Sequence, residues 1–191
     1  MEITKLIDYI KIFDNILEKE KANHFEEVVK SNLLKFEKAG ISRFSGTETD
    51  ETIRKTEYIN LTNTTGTLTS IHWCNFIGTK LTNLMNDYSK LTDTLSNCNI
   101  RDMQILKYKI DGFYKIHIDH GPTTPRTLSF IYFINEDYEG GELTFCLPNK
   151  QNIKIDIKKN RCIIWPSNFL YPHQVLPVTK GIKYSLVSWA L

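Results

Sequence analysis

A His-x-Asp triplet, His117-Ile118-Asp119, and a distant second histidine, His173, are the residues of this chain best suited to chemistry. Residues two apart on a β-strand project to the same face. His117 and Asp119 can therefore offer a ring nitrogen and a carboxylate oxygen to one ion from one strand, and His173 can close the triangle from a neighbouring strand. Two imidazoles and one carboxylate leave the opposite coordination positions open, which suits non-haem Fe(II) and oxygen chemistry. Lys183 stands ten residues beyond His173, with Ser185 two further on and on the same strand face. A buried ammonium at that point needs an anionic partner, because desolvating it alone is expensive.

These residues and gaps resemble the iron- and 2-oxoglutarate-dependent oxygenases, most closely their prolyl 4-hydroxylase branch. His117, Asp119, His173 and Lys183 match that family's metal ligands and its basic residue after the distal histidine, and Tyr108 matches a tyrosine nine residues before the first ligand. The resemblance runs from about Gln104 to Trp189. It implies a mainly β protein with flanking helices, a double-stranded β-helix of the jelly-roll or cupin-like kind. It implies Fe(II) on His117, Asp119 and His173, with 2-oxoglutarate chelating through its 1-carboxylate and keto oxygen, O2 on the remaining position, and ascorbate as reductant. The distal carboxylate of 2-oxoglutarate would meet Lys183 and the hydroxyls of Ser185 and Tyr108. The implied activity is hydroxylation of an unactivated C–H bond, procollagen-proline 4-dioxygenase-like, with a prolyl residue in a peptide or protein as the leading substrate.

Candidate substrate-pocket residues are Tyr114, Arg126, Trp165 and Arg54, and Arg54-Lys55-Thr56 echoes an Arg-x-Ser-like element of the family. Gly140-Gly141-Glu142 matches a family turn at the pocket edge. Trp189 reads as core, His120 as a loop residue, and His24 and His72 as packing or surface histidines. Three alternatives stay open. The same iron chemistry could serve another side chain, a nucleobase or a small metabolite. A peptide-binding module could keep the fold without turnover. A cupin-like metal enzyme without a co-substrate would leave Lys183 and Ser185 without a purpose.

The rest of the chain must position these groups. Its 191 residues suit one domain, 1–191, with 1–99 as helical support and substrate-loop region and 100–191 as the metal-bearing β core. The balance of 24 basic and 22 acidic residues gives no general reason to invoke nucleic acid or a membrane surface. No signal peptide or transmembrane run is visible, and the four cysteines are widely spaced, so reduced thiols and a cytoplasmic location are expected.

Tyr9 to Asp14 reads as a short strand, and Asn15 with Glu18 as a capping box opening a helix along Phe25, Val28, Val29, Leu33 and Phe36. Gly40 to Thr56 reads as a long polar loop, Arg54 to Leu61 as a strand, and Thr62 to Thr67 as a turn-rich linker. Cys74, Ile77, Leu81, Leu84 and Tyr88 mark a second amphipathic helix, closed by the polar stretch Thr92 to Asn99. About eight short strands follow from Ile100 on, with a hairpin-type turn at Asp111-Gly112 and the metal strand over Phe113 to Asp119. Two loops, Gly40 to Thr56 and His120 to Arg126, are the expected substrate entrance.

Overall fold

Alternating side chains need two different surfaces to face, and this chain supplies them as two sheets and a helical layer. The computed structural model describes residues 5–31, 34–43, 46–62, 67–94, 98–148 and 151–191, with 41–43 and 46–47 by backbone alone. A 3-10 turn, Leu6–Tyr9, leads into β1 (Lys11–Asp14) and α1 (Lys19–Lys30). Next come β2 (Glu37–Lys38), β3 (Ile41–Arg43), β4 (Gly46–Glu48), β5 (Arg54–Lys55), β6 (Glu57–Asn60) and α2 (Leu68–Thr92). The second half adds β7 (Ile100–Tyr108), β8 (Phe113–His117), β9 (Leu128–Phe133), β10 (Glu139–Gly140) and β11 (Leu143–Leu147). It ends with β12 (Gln151–Lys154), β13 (Arg161–Pro166), β14 (His173–Val175), β15 (Val178–Lys180) and β16 (Lys183–Ala190).

The larger sheet has the order β1-β13-β9-β16-β7-β6-β2, and the smaller β12-β11-β14-β8-β5. Pairing is antiparallel throughout. On β16 the division of faces is plain. Tyr184, Leu186 and Ala190 pack with Phe25, Val29, Trp73, Ile77 and Leu81 of the two helices. Val187 and Trp189 instead border a cavity between the sheets. Beyond the cavity, the inter-sheet space is filled by Ile131, Phe133, Phe145, Ile163 and Trp165 at one end, and by Leu106, Tyr108, Val175 and Val178 at the other. This is the double-stranded β-helix, with helices on one outer face. Among the described residues, no helix is long and apolar enough to cross a membrane.

Several sequence expectations change. The first helix starts at Lys19 rather than near Asn15, and Glu18 occupies its N-cap without a side-chain hydrogen bond. Asn15 sits at φ 55° in a turn. The cause is tertiary: the Leu17 amide donates to Asn160 Oδ1 (3.0 Å), and Asn160 Nδ2 donates to the Leu17 carbonyl (2.8 Å). That clasp holds the backbone outside the helical ladder. The helix ends at Lys30, and Phe36 packs on the core from beyond it, while Leu33 lies outside the described residues. The second helix buries Trp73, Ile77, Leu81, Met85 and Tyr88, with Cys74 and Leu84 on its flanks.

Gly40 to Thr56 is not one loop. It carries the β3–β4 pair and β5. The single strand expected over Arg54 to Leu61 is two strands in different sheets, β5 against β8 and β6 against β7. Thr56 turns the corner, its hydroxyl donating to the Lys107 carbonyl (2.9 Å). The Asp111-Gly112 turn is present, with Asp111 at φ 61°, but it joins β7 to β8 across the two sheets rather than closing a hairpin.

Asn160 is the most heavily used of the buried turn residues. It sits at φ 63°, holds Leu17 at both backbone atoms, and accepts from the Tyr132 hydroxyl (3.2 Å). Asn160→Ala should lower stability by about 2–4 kcal/mol, because three buried partners lose their bonds together. Denaturant unfolding reads this directly, and a loss within about 0.5 kcal/mol, the size of an ordinary surface change, would show that the clasp does not hold the turn.

Candidate metal and co-substrate site

His117 ends β8 opposite His173 on β14. Between His173 and Val175 the register shifts, so that the one residue between them on β14 answers two of β8 between His117 and Tyr114. This bulge brings Tyr114 and His117 to one face despite their odd spacing, and their rings stack at 3.6 Å between centroids. Asp119 lies just past the end of β8, so the metal strand is shorter than expected. Its carboxylate still returns to the same point: Oδ1 is 3.6 Å from His117 Nε2, and Oδ2 is 3.6 Å from His173 Nε2. One ligand atom from each of the three lies within 4.8 Å of the others.

Each group is oriented from behind. His117 Nδ1 is 2.8 Å from the Lys115 carbonyl, and His173 Nδ1 is 3.1 Å from the Tyr171 carbonyl. A carbonyl only accepts, so both Nδ1 atoms carry hydrogen and both Nε2 lone pairs point toward Asp119. The Ser129 hydroxyl donates to Asp119 Oδ2 (2.7 Å) and shares a hydrogen bond with Ser167 (2.7 Å). Burial pushes His173 down to about 4, with His117 adding to the effect, so its ring is neutral at ordinary pH. Burial opposes ionisation of Asp119, but the neighbouring imidazoles and Ser129 outweigh it and hold the carboxyl well below its usual range. Two ring nitrogens and one carboxylate fit a divalent ion of the Fe(II) kind, a candidate iron site.

Lys183 is fully buried, paired across strands with Tyr108. Its Nζ donates to the Gly141 carbonyl (2.6 Å) and lies over the rings of Phe133 (5.2 Å) and Tyr108 (5.5 Å). No salt bridge to Lys183 is formed among the described residues; Glu142, the acidic residue whose charge it feels, is paired with Lys154 (2.7 Å). Burial pushes the Lys183 amine down to about 7. Ser185 Oγ is buried with no hydrogen-bond partner among the described residues. A cation with spare donors beside an unpaired hydroxyl fits a carboxylate. Burial raises the Tyr108 phenol to about 12, so it is a neutral donor.

A cavity of about 630 Å³ joins these parts. All three candidate ligands line it, with Tyr108 and the four substrate-pocket candidates. Arg54 donates to the Gly40 carbonyl (3.1 Å) and covers the Tyr114 ring at 4.7 Å. Arg126 stacks on Trp189 at 3.5 Å, and its NH1 donates to the Asp119 carbonyl (3.4 Å). Trp165 meets the His173 ring edge-on at 5.0 Å. Lys183 and Ser185 do not border the cavity; they are the cross-strand partners of Tyr108 and Leu106, which do.

Sequence reasoning missed three contributors. Trp189, expected in the core, walls the cavity under Arg126. Ser129 and Ser167 support Asp119, and the available signal was a serine on the inward face of a strand otherwise apolar there. His120 is no ligand; its Nδ1 approaches the Arg126 carbonyl (2.8 Å) and fastens the loop.

Two facing antiparallel sheets with three candidate ligand side chains between them make this a double-stranded β-helix with a candidate metal site. A family profile described as the 2OG-Fe(II) oxygenase superfamily matches residues 103–191. A PKHD-type hydroxylase of Gloeothece citriformis is 32% identical over 125 residues, covering 59% of this chain and 54% of the relative. The chain thus spans about half the length of that curated relative. A Pseudomonas putida prolyl-4-hydroxylase superposes with a TM-score of 0.72 at 18% identity, covering 95% of this chain and 91% of the other. A Trichoplax adhaerens prolyl hydroxylase, in complex with a hypoxia inducible factor oxygen degradation domain peptide fragment, gives 0.71 at 17% identity, covering 96% and 84%. At those identities the likeness is one of fold. Residues 103–191 match the 2OG-Fe(II) oxygenase profile, and the chain resembles the prolyl 4-hydroxylase-like branch of that superfamily.

Lys183 gives the site a pH signature. Its folded value of about 7 lies below the ordinary 10.5, so between these values the unfolded chain holds the extra proton and stability rises with pH. Lys183→Met, close in volume and uncharged, should make the ligand-free chain more stable than wild type at pH 7. That advantage should shrink as pH is raised toward 10.5, as followed by denaturant unfolding across the window. A difference that stays flat with pH would mean that the amine is not desolvated.

Proposed function

We propose that this chain is an Fe(II)- and 2-oxoglutarate-dependent dioxygenase that hydroxylates an unactivated C–H bond, with a prolyl residue in a peptide or protein as the leading substrate. The observation that carries the reading is the convergence of His117, Asp119 and His173 on one point of a cavity, with the buried Lys183, which forms no salt bridge among the described residues, beside Tyr108 on its wall. It is supported by the hydroxylase names of the relatives and by the peptide complex of one structural neighbour.

Bound iron would supply oxidation of the substrate C–H bond by O2, coupled to decarboxylation of 2-oxoglutarate to succinate, with ascorbate as reductant. The protein's own residues do the positioning. Asp119 offers the anionic oxygen, and Ser129 fixes which lone pairs point inward. His117 and His173 are held with their Nε2 atoms toward Asp119 by the carbonyls behind them. Lys183 would turn its ammonium from the Gly141 carbonyl to the distal carboxylate of 2-oxoglutarate, where Ser185 and Tyr108 add hydroxyl donors. A lysine gives a point charge here rather than a planar fork, so the hydroxyls must set the orientation. Trp165 would offer aromatic surface on which a pyrrolidine ring can pack, and Tyr114, held between His117 and Arg54, would contribute its edge. Arg54 and Arg126, both stacked on aromatic rings, aim donors at the carbonyls of a bound peptide. A substrate seated against these four excludes water from the open coordination positions.

The test is to load the chain with Fe(II), add 2-oxoglutarate and prolyl peptides, and follow succinate together with peptide mass. Wild type should bind one iron and convert both. Asp119→Ala and His173→Ala should keep the fold and lose iron binding and succinate formation; wild-type turnover in either would falsify the ligand assignment. Arg54→Gln should raise the peptide KM by about tenfold, the scale of one charge-assisted hydrogen bond, while succinate formed without peptide is unchanged. Equal loss of both would move Arg54 from the substrate to the frame.

A further inference from the structure

Two buried hydroxyls near Lys183 have no hydrogen-bond partner among the described residues: Ser185 Oγ, already given a role above, and Tyr138 Oη. Tyr138 is 6% exposed, and its hydroxyl is cut off from solvent. A buried hydroxyl left unsatisfied costs free energy in every molecule that carries it, so its place needs a reason.

The backbone around Tyr138 is built to bring its ring to Lys183. Gly181, at φ 74°, lies against the Tyr138 backbone: a Cβ there would fall 3.1 Å from Tyr138 Cα and 3.2 Å from its Cβ. The ring then crosses to Gly141, at φ 66°, where a Cβ would fall 3.5 Å from Tyr138 Cε2 and 3.3 Å from Lys183 Cδ. Lys183 and Tyr138 therefore meet over the one residue whose carbonyl takes the Lys183 ammonium. Burial keeps the phenol protonated, and the Glu142, Glu136 and Asp137 carboxylates act in the same direction. The ammonium also lies over the Phe133 ring and the face of Tyr108, and it feels the charge of Glu142. Three polar groups with unused capacity thus sit together, an ammonium with one of three donors engaged, Ser185 Oγ and Tyr138 Oη.

Resting on the co-substrate reading above, we infer that Tyr138 is a positioning residue for 2-oxoglutarate, its hydroxyl donating to the distal carboxylate held by Lys183. The carboxylate has lone pairs for all three groups. Two hydroxyls at fixed angles supply the directionality that a lysine lacks. The chamber would therefore select a 2-oxoacid with a second carboxylate over one without.

The test uses the Mn(II)-loaded full chain without oxygen, titrated calorimetrically with 2-oxoglutarate and with 2-oxobutyrate, which chelates the metal alike but lacks the distal carboxylate. Wild type should prefer 2-oxoglutarate. Tyr138→Phe should weaken 2-oxoglutarate binding about tenfold or more, the range of one hydrogen bond to a charged group, and leave 2-oxobutyrate and Mn(II) binding within about twofold. The ligand-free variant should melt no lower than wild type, since only an unpaired hydroxyl is removed. Unchanged 2-oxoglutarate affinity in Tyr138→Phe, or equal loss for both acids, overturns the inference and leaves the co-substrate reading standing. A wild-type chain that binds Mn(II) but not 2-oxoglutarate overturns both.

Discussion

Two opposite charges are carried into the space between two β-sheets, and the described residues form no ion pair between them. Asp119 and Lys183 are each desolvated, which is costly unless a partner compensates. Asp119 is compensated locally by two imidazoles and the Ser129 hydroxyl. Lys183 has one carbonyl and two aromatic faces. One charge is ready for a cation, and the other is short of an anion. The remaining architecture must keep them apart and dry. The apolar layers between the sheets and the helical layer behind the larger one carry the stability that this arrangement consumes.

Irregularities in the sheets do the placing. Without the bulge on β8, Tyr114 and His117 would face opposite ways, and the ring stacked on His117 would be lost. A second shift, where Asp102 sits at φ 53° against the Ser188–Trp189 step of β16, is taken up on β7 and leaves the alternation of β16 unbroken, with Trp189 beneath Arg126. The break at Thr56 hands the chain from one sheet to the other and leaves Arg54 beside Tyr114 on the cavity wall. Regular strands alone would bury the same apolar surface and build no site.

What was legible in the sequence followed from local rules. Strand alternation gave the inward face of β16 and the fully buried β9, and the three-to-four spacing gave α2. The convergence of His117, Asp119 and His173 and the burial of Lys183 could be expected because each has a chemistry that is expensive to bury without purpose. What stayed hidden depends on partners distant in sequence. The start of α1 is set by Asn160, 143 residues from Leu17. Sheet exchange at Thr56 and at Asp111-Gly112 turns on which strand pairs with which, and local propensity is silent on that. Trp189 was read as core because a buried tryptophan beside a cavity carries the same sequence signal as one in solid packing.

The helices also reach the chemistry indirectly. Asn135, at the end of β9, accepts from the Tyr184 amide (2.7 Å) and donates to the Ile182 carbonyl (2.8 Å), bracketing Lys183 on both sides. Its Nδ2 also donates to Asp137, which is paired in turn with Lys30 at the end of α1 (2.9 Å). Lys159, near the same corner, is paired with Glu26 on that helix. The segment that supplies Tyr138 and Gly141 to the Lys183 chamber is therefore tied at its root to α1. Surface ion pairs of this kind add little stability singly, so their contribution here is geometric. The strands carry the three candidate ligands, and the helix steadies the turn that holds Lys183 and its neighbours in register.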